Sequence, residues 1–200
     1  RDIKSLGVDA FSIQADVGSP DGVTAIFAAL DEHFGRLDIL VNSASVFQQR
    51  QLLEVSLDDW QQTMNVNLTG PFLCTQAAAE VMRQNDPSGG VIINICDKGA
   101  TDPWPKYPHH SISKAGLLML TKITAASLGP DIRANAIIPG PVMKPAGTNM
   151  SDKEWEAIGK RVPLQRTGSA DDVARAVVYL ASEDFLTGVV LEVNGGEHLG

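Results

Sequence analysis

The sequence predicts an α/β fold, a doubly wound parallel sheet, and three observations carry that expectation. Short apolar runs bounded by turns, Leu37 to Val41 and Val91 to Cys96, read as strands buried on both faces. Longer segments between such runs carry helix start signals and apolar residues at helical spacing, so strand and helix alternate. Asp16, Asn42, Asp97 and Pro139-Gly140 each fall directly after a predicted strand. Ligands bind at that carboxyl edge in sheets of this kind.

Val8 to Ala15 alternates as a strand does. Ser19-Pro20-Asp21 then opens a helix, with Ser19 as N-cap and Pro20 in the first turn; it runs to about Phe34 and stops at Gly35. Leu37 to Val41 is the next strand. Ser56 caps a long helix whose apolar stripe is Trp60, Met64, Leu68, Phe72, Ala79 and Met82. Ser88-Gly89-Gly90 introduces the strand Val91 to Cys96, and a helix follows from about His110 to Leu128. Arg133 to Ile138 is a strand ended by Pro139-Gly140-Pro141. Ser151 to Lys160 reads as a short helix inside a long insertion, residues 140–168, expected to act as a substrate loop. Ser169 caps a helix through about Ala181, and Val189 to Val193 is the last strand. Residues 1–200 read as one domain, with no internal repeat or low-complexity tract.

Composition narrows the function classes. A hydrophobic content of 44% and a charged content of 20% suit an ordinary globular core. The net charge is −8 without a basic cluster, which argues against nucleic acid or an anionic membrane as partner. No apolar run is long enough to span a bilayer, and no leader-like segment opens the chain. Cys74 and Cys96, both in apolar segments, read as buried thiols in a reducing compartment, so a cytoplasmic location is expected.

The chemistry concentrates in a few segments: Asp16-Val17, Asn42-Ser43-Ala44-Ser45, Asn65-Val66-Asn67-Leu68-Thr69-Gly70, Asn94-Ile95-Cys96-Asp97, Ser113-Lys114-Ala115-Gly116, Ile138-Pro139-Gly140-Pro141 and Val193-Asn194-Gly195-Gly196. His110 lies four residues before Lys114, which puts both on one helix face. A histidine can serve as general acid or base near neutral pH, and Asp97 can accept from two N–H groups or relay a proton.

In order and spacing these segments resemble the short-chain dehydrogenase/reductase family across nearly the whole chain. The resemblance implies a Rossmann-like fold, a nicotinamide cofactor and hydride transfer. It implies that Lys114 bonds the nicotinamide ribose and that Asn67 sits at a backbone kink in the long helix that holds a proton-relay water. His110 stands where the family has its catalytic tyrosine, and Asp97 where it has a serine. Asp97 resembles the aspartate of pteridine reductases, as do Pro139-Gly140-Pro141-Val142 and the short helix carrying Trp155. That subgroup reduces a ring C=N or carbonyl. Asp16, Val17, Asn42, Ser43, Ala44, Lys114, Pro139, Gly140 and Val142 are the implied cofactor contacts, and Asp97, Tyr107 and Pro141 the implied substrate contacts. No metal is implied. NADP(H) is expected over NAD(H) on family grounds, as is a homodimer or homotetramer. The helix after His110 is apolar on two sides, one for the sheet and one for a partner helix.

The family's Gly-rich phosphate turn and second strand have no counterpart in these residues, and Arg1 is not a methionine. The expectation is therefore a Rossmann-like domain lacking its first strand-helix-strand unit, with an apolar sheet edge. Two rival functions follow. One is an impaired fragment or pseudoenzyme acting as an oligomer-forming subunit; the other is a 3-oxoacyl or carbonyl reductase.

Overall fold

The computed structural model describes residues 3–144 and 149–199. Residues 145–148, within the 140–168 segment read as a substrate loop, lie outside the described residues. Four parallel strands form one sheet in the order β1 (Ile39–Asn42), β2 (Gly90–Ile95), β3 (Ile132–Pro139), β4 (Val190–Val193). Their connections carry α1 (Pro20–His33, ahead of β1), α2 (Leu57–Met64), α3 (Gly70–Met82), α4 (Pro108–Leu128), α5 (Asp152–Gly159) and α6 (Ala170–Ser182).

Side-chain alternation sorts the central strands between two layers. Ile92, Ile132 and Ala134 pack with Ala78, Met82 and Ala125, from α3 and α4; Cys96, Ala136 and Ile138 continue that face against Leu117. On the other face Val91, Ile93 and Ile137 meet Ala176 and Leu180 of α6. Ile92, Ile93, Ile137 and Ile138 are fully buried, each worth roughly 1.5–3 kcal/mol of transfer free energy. The sheet is therefore doubly wound, as the sequence predicts. Arg133 fastens α6 to it by donating to the carbonyls of Leu180, Ala181 and Leu186. A cation there suits the negative end of the helix dipole.

Most caps fall where expected. The Ser19 hydroxyl accepts from Gly22 N, while Ser56, Ser151 and Ser169 form reciprocal capping boxes with Asp59, Glu154 and Asp172. Three features differ. Residues Val8 to Ala15 are not a strand but an irregular segment with no ladder partner. Phe11 stacks on His33 at 4.3 Å, and an apolar cleft of ≈ 250 Å³, lined by Phe11, Val17, Leu40 and Val41 among others, takes the place of pairing with β1. A strand needs a hydrogen-bonded neighbour, and alternation alone does not supply one. The long helix is also interrupted: five residues, Asn65–Thr69, form a π turn between α2 and α3. The helix read as starting at His110 begins at Pro108, with Tyr107 at its N-cap.

Candidate active site

The predicted site residues come from strand ends, the turn before α1, the π turn and the first turns of α4. Asp16 and Val17 lie in the turn before α1, where Asp16 Oδ1 accepts from Gly18 N at 2.8 Å. A Cβ at Gly70 would fall 2.5 Å from the Val17 carbonyl oxygen, so glycine alone lets this turn rest on the start of α3. Val17, Asn42, Ser43 and Ala44 line the same cleft beside β1. Asn42 also starts a polar ladder through the core. It donates to Asn94 Oδ1 at 2.8 Å, Asn94 donates to Thr121 Oγ1 at 2.8 Å, and Thr121 donates to the Leu117 carbonyl.

Gly140, Pro141 and Val142 line a separate cavity of ≈ 190 Å³ with Arg166, Asp172 and Asn194. Pro139 closes β3 opposite Val193. Arg166 and the Ser169 cap hold the Asp172 carboxyl down to about 2.

The central cluster joins the end of β2, the π turn and the first turns of α4. Asp97 Oδ1 accepts from Gly99 N at 2.9 Å, and Asp97 Oδ2 lies 2.6 Å from His110 Nε2. His110 Nδ1 lies 3.1 Å from the Val46 carbonyl and 3.3 Å from Asn67 Nδ2. Asn67, fully buried, donates to Val46 O at 3.0 Å and Ser113 Oγ at 3.1 Å, and accepts from Val46 N at 2.7 Å. These contacts explain the π turn: its extra residue aims Asn67 inward from a helix. Aromatic rings enclose the histidine. Trp104 lies parallel to it, and Phe47 meets it edge-on at 4.7 Å. Tyr107 stacks on Phe47 at 4.3 Å, and its hydroxyl donates to Gln49 Oε1 at 3.5 Å. Tyr107 is thus part of an aromatic wall.

Lys114 is buried and donates to the Ile95 carbonyl at 2.9 Å. Burial pushes its ammonium below the ordinary lysine value, partly offset by Asp97 and then Cys96. Burial drives the Cys96 thiol up to about 12, so this cysteine is inert as a nucleophile. An ammonium has three donors, and one meets a protein carbonyl here; a ligand hydroxyl fits the others. His109, next to the dyad, is fully buried without a partner for either ring nitrogen among the described residues. Desolvation pulls its pKa down, with Asp59 opposing.

The structure thus brings together Asp97, His110, Asn67 and Lys114, and it sets Val17, Asn42, Ser43 and Ala44 along one cavity and Gly140 and Val142 along another. Sequence reasoning did not single out the Val46 carbonyl, Phe47 or Trp104. Backbone groups leave no trace in composition, and only the aromatic density at residues 104–110 pointed there. No helix among the described residues is long and apolar enough to cross a membrane, and they hold no metal-ligand cluster.

The chain is similar to several known proteins. The family model described as enoyl-(acyl carrier protein) reductase matches residues 2–198. The 3-oxoacyl-(acyl-carrier-protein) reductase FabG of Staphylococcus aureus (strain Mu50) is 34% identical over 203 residues, covering 100% of this chain and 81% of that protein. Glucose 1-dehydrogenase 2 of Bacillus subtilis is 36% identical, covering 97% of this chain and 77% of its own length. The crystal structure of acetoin dehydrogenase YohF from Salmonella typhimurium superposes with a TM-score of 0.87 at 33% identity, covering 98% of this chain and 78% of that one. A candidate short-chain alcohol dehydrogenase from Sinorhizobium meliloti 1021 superposes with a TM-score of 0.91 at 30% identity, covering 99% and 80%. The chain therefore belongs to the short-chain dehydrogenase/reductase family and is a nicotinamide-dependent oxidoreductase.

Proposed function

We propose that this chain interconverts a carbonyl compound and its alcohol, in the manner of a 3-oxoacyl or related carbonyl reductase. The observation that carries the reading is the engagement of Asp97. Its two oxygens already serve Gly99 N and His110 Nε2. The free, two-pronged acceptor that an amidine-like ring would need is therefore occupied, whereas one carbonyl oxygen needs a single partner. The names of FabG, glucose 1-dehydrogenase and acetoin dehydrogenase all describe carbonyl or alcohol chemistry.

Lys114 holds the ribose of the cofactor, Asp97 and His110 manage the substrate proton, and Asn67 supports them. Asp16, Val17, Asn42, Ser43 and Ala44 serve the adenosine end, while Pro139, Gly140 and Val142 serve the nicotinamide end. Tyr107 and Pro141 bound the substrate. The cofactor supplies hydride; NADPH is the preferred donor. The active form is a cytoplasmic homodimer or homotetramer, using the exposed apolar residues Ile112, Met119 and Ile123 of α4.

Pteridine reduction is the second reading, favoured by the aromatic wall of Phe47, Trp104 and Tyr107 beside an aspartate. Following NADPH absorbance with a 3-oxoacyl thioester, a small diketone, dihydrobiopterin and dihydrofolate separates the two. Turnover of the carbonyls alone supports the first reading. Turnover of the dihydropterins alone supports the second. Rates no higher than those of Lys114→Ala for every substrate defeat both.

A further inference from the structure

We infer that Asp97, not His110, is the catalytic residue that hands the proton to the substrate, and that His110 is a positioning residue behind it. The inference rests on the carbonyl reading above. His110 stands at the position implied for the proton donor, yet its side chain is only 2% exposed, against 23% for Asp97. Both of its ring nitrogens are engaged inward. Nε2 faces Asp97 Oδ2 at 2.6 Å, and Nδ1 faces Val46 O at 3.1 Å and Asn67 Nδ2 at 3.3 Å. Trp104 covers one face of the ring at an interplanar angle of 5°, and Phe47 packs edge-on. No nitrogen remains to meet a substrate.

Asp97 differs in each respect. It sits at the strand end in an extended conformation, fastened through Oδ1 to Gly99 N, and its side chain is the more exposed of the pair. Other titratable groups act on the pair from α4 and from the turn after β2. Lys114 interacts with Asp97, and His109 interacts with His110. Lys98, the next residue after Asp97, donates to the Glu197 carbonyl and pairs with Asp102 at 3.5 Å.

The proton step balances on these two residues. As hydride reaches the carbonyl carbon, the C=O π pair takes the proton from the Asp97 carboxyl. The Asp97 O–H bond breaks and the substrate O–H bond forms. The resulting carboxylate keeps the hydrogen bond donated by His110 Nε2–H, which holds Oδ2 in place. One proton from solvent restores the pair. Each turnover consumes one hydride and one proton, and alcohol oxidation runs the steps in reverse.

The test compares wild type, Asp97→Asn, Asp97→Glu and His110→Gln by kcat, KM and the pH profile of kcat, with melting temperature as the folding control. Asp97→Asn should lower kcat on the order of 10³-fold with little change in KM, the scale of a lost general acid. Asp97→Glu should regain at least about tenfold of that loss, because it restores a carboxyl. His110→Gln keeps an N–H toward Asp97; it should cost only about 10- to 100-fold and move the pH profile, which a purely structural loss would not do. The inference is overturned if Asp97→Asn retains as much kcat as His110→Gln, or if Asp97→Glu gains nothing over Asp97→Asn. A wild type that turns over no carbonyl defeats the carbonyl reading, and the inference falls with it. An active wild type with the reversed order of variants defeats the inference alone.

Discussion

Asn67 and Val46 hold each other at both ends: the Val46 N–H donates to Asn67 Oδ1 at 2.7 Å, and Asn67 Nδ2 donates back to the Val46 carbonyl at 3.0 Å. This two-way clamp ties the loop after β1 to the π turn, and it steadies the carbonyl that faces His110. Asn67→Ala would leave the Val46 N–H without its partner and its carbonyl with His110 alone, in a part-buried site. The expected cost is about 3 kcal/mol, or a melting temperature lower by about 6–12 °C. Thermal unfolding measures it; a wild-type melting temperature would mean the clamp contributes nothing.

Lys114→Met should abolish turnover yet stabilise the fold. Burial pushes the folded-state pKa of Lys114 down, so the unfolded chain binds its proton more tightly. Stability then rises with pH between the lowered folded value and the ordinary lysine value, and the penalty is fully present below that window. The methionine variant should gain about 1 kcal/mol at neutral pH and lose that rise. Urea unfolding of both proteins from about pH 7 to about pH 10 reads the difference in slope; identical slopes would contradict it.

Gly99→Ala should disturb the dyad through one methyl group. The added Cβ would lie 2.9 Å from Asp97 Oδ1, 3.0 Å from Trp104 Cε3 and 3.2 Å from Ser111 Oγ. None of these contacts can be kept without movement. We expect about 1–3 kcal/mol of destabilisation and a kcat about tenfold lower, because a small displacement of a catalytic group is costly. A kinetically silent variant would show that Asp97 tolerates displacement.

Asp97→Ser and His110→Tyr should be strongly coupled. Each alone breaks the 2.6 Å pair and leaves a partner designed for the other residue. Together they restore the serine and tyrosine implied by family resemblance, beside Lys114. The double variant should exceed either single in kcat by at least about tenfold, a coupling energy within the range for residues in contact. Additive losses in the cycle would mean that the two positions act independently.

The Asp172 cap predicts acid sensitivity at the start of α6. Arg166 first, and then Ser169, depress its pKa to about 2. A depressed carboxylate contributes stability that is present above its unfolded value and lost as pH falls toward the folded one. Wild type should therefore lose protection of the first α6 amides through that acid range, whereas Asp172→Asn should lack protection throughout. Hydrogen exchange in that turn provides the check, and equal protection in both proteins would argue against it.

Much of this was legible in the sequence because it is local. Apolar runs bounded by turns pointed to β1 and β2, and serine caps were legible at Ser19, Ser56 and Ser169. Asp97 and His110 stood out by residue type, but their direct contact depends on how a strand end meets a helix start. Val8 to Ala15 failed because pairing belongs to two segments, and one of them carries all the local signal. The π turn left no trace in the residue pattern, for a related reason, and only the family resemblance implied a kink at Asn67. Asn-Val-Asn-Leu-Thr reads as continuous helix until the Val46 backbone offers Asn67 its partners.

The ladder from Asn42 through Asn94 to Thr121 acts as an index mark for assembly. Val91, Ile92, Ile93 and Ile95 are nearly interchangeable in character, so greasiness alone would let β1 slide along β2. A slip of one residue would set Val41 beside Asn94 and turn Asn42 to the opposite face, orphaning two amides in the core. The mark is written in polar atoms because only they make a wrong alignment costly. It holds the ends of both strands level, so Ser43-Ala44 and Asp97 emerge at matched heights.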